Sequence, residues 1–435
     1  MSDFAKAICD QFPNCIFSEK FVLKIEEFLK QTKFISSAQC MAFDKRLNGK
    51  INLENFKADI SSINLYAEYM LQKYICKAIL DIKKYLKSDV VKFNDIEFAS
   101  KETHNEKRSI LIFSANDKKL VYKPYNLKHL KVLLDIFNHI KQNLKYDISM
   151  FPEILHYEKD YCIIEFLDSD QNLDETRLCY CIGAALAFSY CFRITDLHSE
   201  NILYANNSFY ILDTETCFYR DVYADHFALS YTGPLTAKNS CGLFDRTTKD
   251  MIVQINKDFE VSFLSDRRNR PKIINIKDNA HIVYRGFKDC YRAIMKHKDK
   301  ILEIINSNDL ILRFVFRPTS VYIKWMILLF TPSLNFKDNI IKLRNEMTKY
   351  KKGNISEENY QDIIKNELAD MILTDVPYFY YDTTKNCIYH KDRLVVDNFY
   401  KENFSFFVKR WLDSINNKNF ISLQKELNYL MALKR

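Results

Sequence analysis

Three residues in one short stretch have the types and spacing for phosphoryl transfer. Asp196 is followed five positions later by Asn201, and Asp213 lies twelve positions further on. An Asp can orient and deprotonate an attacking hydroxyl. An Asn of the same loop can hold Mg²⁺, and an Asp after the next strand can hold it again. The stretch between them reads as a hairpin, because Asn201–Tyr204 and Phe209–Leu212 are apolar runs joined by Asn206-Asn207-Ser208. Two neighbours enlarge the set. His198 either donates to a phosphate and shuttles a proton or holds the loop by a hydrogen bond. Glu215, two residues beyond Asp213 on an extended segment, shares its side and is either a direct or an outer metal group.

Such a site needs a cation on the nucleotide phosphates, and Lys123 is placed to be one. Ser109–Phe113 and Lys119–Tyr122 are strand-like runs around Ala115-Asn116-Asp117, and the second ends in Val121-Tyr122-Lys123-Pro124. A Lys closing an apolar strand can reach inward as a compact point charge. A helix over Leu127–Leu144 follows, apolar at Leu130, Leu133, Leu134, Phe137 and Ile140, and the carboxylate it offers is Asp135.

These segments together resemble the dehydratase domain of the class II lanthipeptide synthetases, the LanM family. The family's motifs stand here as Val121-Tyr122-Lys123-Pro124, Thr195-Asp196-Leu197-His198-Ser199-Glu200-Asn201 and Ile211-Leu212-Asp213-Thr214-Glu215-Thr216. An Arg-x-x-x-Arg-x-Thr motif is present as Arg313 through Arg317 to Thr319. The Gly-Asp-x-His segment corresponds to Lys101-Glu102-Thr103-His104, followed by Arg108-Ser109, and departs from the pattern by losing the Gly and changing Asp to Glu. The resemblance covers residues 100–435.

It implies an α+β, lipid-kinase-like, two-lobed core that works in two steps on a ribosomal precursor peptide carrying a leader segment. In the first, ATP and Mg²⁺ phosphorylate Ser or Thr: Asp196 orients the hydroxyl, Asn201, Asp213 and Glu215 are the metal candidates, and Lys123 neutralises phosphate. In the second, phosphate is eliminated to leave dehydroalanine or dehydrobutyrine, a step that needs cations around the leaving group. The family match assigns Arg313 and Thr319 to it and carries His104 along. Arg313 and Arg317 lie four apart, one helical turn, so both could face a single anion, although Pro318 disfavours helix at Arg317 and Thr319 begins a new element. The altered Lys101-Glu102 segment keeps open an alternative, a kinase that phosphorylates and never eliminates. Full family members append a zinc cyclase. Cys387 and His390 are the only close Cys/His pair late in this chain, so no zinc is expected and ring closure would fall to a separate cyclase.

Composition sets the outer bounds. With 435 residues, 47% of them hydrophobic, the chain can bury one large or two coupled cores. Twelve Cys without a Cys-x-x-Cys pair point to reduced thiols, and the N-terminus lacks a signal peptide pattern, so a cytoplasmic protein with no membrane span is expected. The net charge of +8 is dispersed and no base-reading motif occurs, which argues against nucleic acid. Six glycines leave no Gly-rich lid and no Walker loop, so another segment, with His104–Arg108 as the candidate, must cover the phosphates.

The elements that must position these groups follow from periodicity. Residues 1–90 read as helical, with a core stripe Ile63, Tyr66, Ala67, Met70, Leu71, Tyr74, Ile75, Ala78, Ile79, Ile82. Residues 91–170 read as a small lobe of short strands and one helix, ending in a strand at Tyr161–Leu167. Residues 171–435 read as a large lobe: a helix over Glu175–Phe192, the hairpin, and a mostly helical remainder that includes Glu357–Met371, Phe404–Ile415 and Ile421–Leu433.

Overall fold

Alternating buried residues between Val91 and Glu165 build the sheet on which Lys123 rides. In the computed structural model, β1 (Cys15–Phe17), β2 (Val91–Phe98), β3 (Leu111–Ala115), β4 (Lys118–Lys123), β5 (Ile154–Tyr157) and β6 (Cys162–Glu165) form one six-stranded sheet in the order β1-β2-β3-β4-β6-β5. Residues 2–32, 53–99, 103–168, 174–197, 201–220, 227, 253–255, 260–263, 272–275, 279–330, 336–349, 351 and 355–432 are described. β1 runs parallel to β2, and the other pairings are antiparallel.

Strand period splits the sheet between two cores. Tyr161 and Ile163 face one side with Phe93, Ile96, Phe113, Leu120 and Tyr122, under α1 (Asp3–Asp10), α2 (Glu19–Thr32) and α3 (Leu53–Leu86). Cys162 and Ile164 face the other side, with α4 (Lys128–Ile140) and the rest of the molecule. The stretch expected to be helical to residue 90 therefore also holds β1, which is a strand of this sheet. The α3 stripe is core from Met70 onward, whereas Tyr66 is 45% exposed.

The larger core is organised by α5 (Glu175–Cys191), which is buried on all sides from Leu178 onward. It crosses α6 (Ala280–Lys296) at two glycines: a Cβ added at Gly183 would lie 1.8 Å from the Val283 carbonyl oxygen, and one at Gly286 2.0 Å from that of Tyr180. Glycine is used there for close approach of two backbones. β7 (Ile202–Ala205) and β8 (Ser208–Ile211) form the expected hairpin, with Ile202 opposite Ile211. A small sheet, β9 (Val253–Ile255), β10 (Glu260–Phe263) and β11 (Lys272–Asn275), lies between it and α6 in sequence, and α7 (Lys298–Asn306) follows α6.

The remainder is less helical than its sequence suggests. β12 (Ile311–Phe314), β13 (Phe379–Asp382), β14 (Cys387–His390) and β15 (Arg393–Val396) make a four-stranded antiparallel sheet in that order. Between β12 and β13 in the chain come α8 (Thr319–Leu329), α9 (Phe336–Thr348) and α10 (Glu357–Ile372), and after β15 come α11 (Phe404–Ser414) and α12 (Asn417–Ala432). The chain is α+β. All ten described cysteines are free thiols, and no described helix is long and apolar enough to cross a membrane.

Candidate active site

Lys123 closes β4, paired to Cys162 of β6, and its side chain is only 4% exposed. A buried ammonium must find acceptors. Its Nζ donates to the Leu212 carbonyl at 2.8 Å, which carries the charge to the residue before Asp213. The α4 carboxylate Asp135 is exposed, so the anion facing Lys123 comes from the hairpin and not from the helix.

Two chain segments are zipped together to make the floor of the site. The hairpin register puts Asn201 across from Leu212, whose N–H donates to the Asn201 carbonyl at 2.8 Å. Upstream, the Thr216 hydroxyl donates to the Thr195 carbonyl at 2.8 Å, and the Phe218 and Tyr219 N–H groups donate to the Phe192 and Arg193 carbonyls. Asp196 lies between these clamps with φ 62°, a left-handed conformation that a non-glycine residue keeps only where its surroundings enforce it. The Asn201 side chain adds to that enforcement, its Nδ2 donating to the Asp196 carbonyl at 2.9 Å. Three residues upstream, the Arg193 guanidinium is buried against Phe227, Phe407 and Trp411, with 4.2 Å to the Trp411 ring. His198 lies outside the described residues, as do Lys101 and Glu102.

The wall opposite is built by Arg313 of β12. Its Nη1 lies 3.2 Å from Glu215 Oε2, its N–H donates to the Glu215 carbonyl, and its guanidinium sits 5.2 Å from the Tyr378 ring. The Glu215 N–H in turn donates to Asp213 Oδ1 at 2.9 Å. His104 arrives from the turn before β3. Its Nδ1 lies 2.8 Å from the Val376 carbonyl, so that nitrogen carries the proton, and its ring meets Tyr378 edge-on at 5.7 Å.

Charge is distributed unequally over this set. Burial works to raise Asp213, but the Lys123 ammonium, the Glu215 N–H and the Arg313 guanidinium outweigh it and hold the carboxylate below its usual range. Glu215 moves the other way: burial and the Asp213 charge raise it against the pull of Arg313. Arg313 is raised despite its burial, chiefly by Glu215. His104 is pushed down to about 3 by burial and by Arg313, and His129 to about 4 by burial, so both imidazoles are neutral. Adjacent carboxyls driven apart in this way can serve different roles.

Asp213 with the Asn201 amide offers hard oxygen donors of the kind Mg²⁺ takes. The Asn201 Nδ2 is committed to the loop, so a metal would meet Oδ1. Among the described residues no three His, Cys, Asp or Glu side chains gather as a metal cluster, so Asp213 and the Asn201 amide are the groups that would hold such an ion.

Arg313 and Arg317 do not face one anion. Residues 311–314 are strand, and Arg317, 4% exposed, turns away to a buried pair with Glu367, at 2.9 Å from Oε1 and 3.2 Å from Oε2, with Tyr360 and Tyr322 completing the network. Thr319 is the first residue of α8. Late in the chain, Cys387 contacts Asp397 at 3.0 Å and His390 contacts Asp370 at 2.7 Å. Tyr125, Tyr378 and His129 border the site without having been singled out. Only Tyr125, two residues past Lys123, carried a positional signal in the sequence.

A sequence model for a domain of unknown function, DUF4135, matches residues 74–240 and 244–382. The lacticin 481/lactococcin biosynthesis protein LcnDR2 of Lactococcus lactis subsp. lactis is 23% identical over 341 residues, which is 67% of this chain and 36% of that protein. The chain thus spans about a third of the length of that relative.

Proposed function

The chain belongs to the DUF4135 family, and on that footing we propose that it is a lanthipeptide-type dehydratase on a lipid-kinase-like core, phosphorylating Ser or Thr of a ribosomal precursor peptide and then eliminating the phosphate. The observation that carries this reading is the meeting of Lys123, from the small-lobe sheet, with Leu212-Asp213 of the hairpin, beside the Glu215–Arg313 pair. The similarity to a lacticin 481/lactococcin biosynthesis protein supports a peptide of that kind as the substrate.

In the first step the peptide hydroxyl oxygen bonds to the γ-phosphorus of ATP as the bond to ADP breaks, and Asp196 takes or orients the hydroxyl proton. Asp213 and the Asn201 amide would hold Mg²⁺, which would supply charge neutralisation on the phosphates. Lys123 leaves the Leu212 carbonyl for phosphate oxygens, so the site is preorganised with its cation already desolvated. In the second step a Cα proton is lost, the Cβ–oxygen bond breaks, and inorganic phosphate departs. Arg313 is held by Glu215 at the edge of the same floor, where a phosphoryl group made by the first step would lie. Its charge stabilises the leaving group. His104, neutral and with Nδ1–H committed to the Val376 carbonyl, has at Nε2 the lone pair that can take the Cα proton.

The test is co-expression with a Ser/Thr-rich peptide encoded beside this chain, followed by mass spectrometry. Loss of water per modified residue is expected. Arg313→Ala is expected to leave phosphopeptide in place of dehydrated product. Stable phosphopeptide from the unaltered chain would instead establish a kinase that does not eliminate.

A further inference from the structure

Thr103–Ser109 is a turn with an expensive backbone. Asn105, Glu106 and Lys107 have φ 44°, 68° and 67°, three consecutive left-handed residues without a glycine. Such a run survives only where its surroundings over-determine it. The antiparallel bridge between His104 and Arg108 closes the loop, with both backbone hydrogen bonds made. A bridge alone does not choose the hand of the residues inside it.

Asp375 does. Its carboxylate is fully buried and takes the Thr103 hydroxyl on Oδ1 at 2.6 Å, and the Glu106 and Lys107 N–H groups on Oδ2 at 2.8 and 3.1 Å. Successive N–H groups converging on one anion make a backbone nest. The Lys107 ammonium, also buried, lies 3.5 Å from Oδ1 and donates to the Thr374 hydroxyl, so the carboxylate is neutralised inside the protein. The neighbouring backbone completes the joint: Val376 N–H donates to the Thr103 carbonyl at 2.9 Å, and the Val376 carbonyl receives His104 Nδ1. Two residues further, Tyr378 lies over Arg313.

We propose that Asp375, with Lys107 as its counter-ion, is the positioning residue of the elimination step: it fixes the turn that aims His104 and the strand entry that places Tyr378 against Arg313. This rests on the dehydratase reading. It adds to that reading a group 271 positions away from His104 in the chain, Asp375, with which no motif associates it. Among the described residues the Asp375 carboxylate bonds to Thr103, Glu106 and Lys107 and to none of Lys123, Asp196, Asn201 and Asp213, so its effect falls on the second step. A turn that served instead to cover the nucleotide phosphates would make both steps fall together.

The experiment uses the full chain co-expressed with its adjacent precursor peptide and reads phosphorylated against dehydrated residues by mass. Asp375→Asn keeps the shape but removes the charge and one acceptor. It is expected to lower the elimination rate roughly tenfold or more while phosphopeptide still forms, the size usual for removing a residue that orients a catalytic group. The double variant with His104→Ala should be no worse than His104→Ala alone, because both act on one step through one group. Equal loss of both steps, or additive losses, would overturn the proposal and leave Asp375 a purely structural residue. Should Asp375→Asn fail to fold, Thr103→Val removes a single bond from the joint and must shift the ratio in the same direction. A normal ratio in that variant also overturns the proposal. If the unaltered chain neither phosphorylates nor dehydrates the peptide, it is the dehydratase reading that falls, and the positioning role falls with it.

Discussion

Lys123 and Arg313 show how a single side chain can be prepared before any substrate arrives. Each is a buried or half-buried cation whose acceptor belongs to the Leu212–Glu215 segment, the first to a carbonyl and the second to a carboxylate. Lys123→Met keeps the length and apolar stem of the side chain while removing the charge. Phosphate transfer to the peptide should fall roughly 10²–10³-fold, the usual loss for one electrostatic contact to a developing charge. Because the Leu212 carbonyl and the buried Asp213 carboxylate lose their cation in this variant, its urea midpoint is measured beside the rate to show that it is folded. A rate within a few-fold of the unaltered chain would show that Lys123 does not meet phosphate. At this scale the sequence was legible where residues are neighbours in the chain. Asp196, Asn201, Asp213 and Glu215 could be read from spacing around one hairpin. The Glu215–Arg313 pair spans 98 positions and the Thr103–Asp375 bond 272, and no local rule couples residues so far apart.

Elements explain why the hairpins were readable and the last sheet was not. Asn116-Asp117 and Asn206-Asn207 carry positive φ at both central positions, the pair a two-residue hairpin needs, and Asn and Asp supply it in a chain with six glycines. β13–β15 contain Phe379-Tyr380-Tyr381-Asp382 and Cys387-Ile388-Tyr389-His390, aromatic runs too short to show a period. Arg313 and Arg317 misled for a related reason. A spacing of four suits a helix, but pairing of Arg313 with Tyr380 holds the first in a strand and lets the second turn into the Glu367 pocket. The crossing of α5 and α6 carries a prediction of its own. Gly183→Ala would drive a methyl into the Val283 carbonyl, and the helices must part. A loss of about 1–3 kcal/mol or more is expected, measured as a lower urea midpoint with an unchanged slope. No shift would mean that the helices do not approach as closely as 1.8 Å implies.

For the molecule as a whole, the buried neutral imidazoles set an acid limit. His104 and His129 are held at about 3 and about 4, below the ordinary 6.5. The unfolded chain therefore takes up protons first as pH falls. The stability these residues permit is complete above about 6.5 and declines through the window down to about 4 and 3. Urea midpoints should fall across that window, and less steeply in His129→Leu, which has nothing to protonate. Identical slopes for the two chains would show that His129 is not held neutral. The α+β class came from the family resemblance, with strand-like runs and helical stripes in the sequence beside it. The sharing of β1 and its helices with the Lys123 sheet was not, because a three-residue strand gives no pattern to read.

That shared sheet bears on how the protein can be divided. Ile163 belongs to the N-terminal core with Tyr122, whereas Cys162 and Ile164, from the same strand as Ile163, belong to the other. A polypeptide begun at Val91 would retain every proposed catalytic group yet bare Phe93, Ile96, Phe113 and Leu120 to water, a sticky plane seeking a second copy. The leading helices are thus no detachable ornament. They are the backing plate without which Lys123 has nothing rigid to stand on.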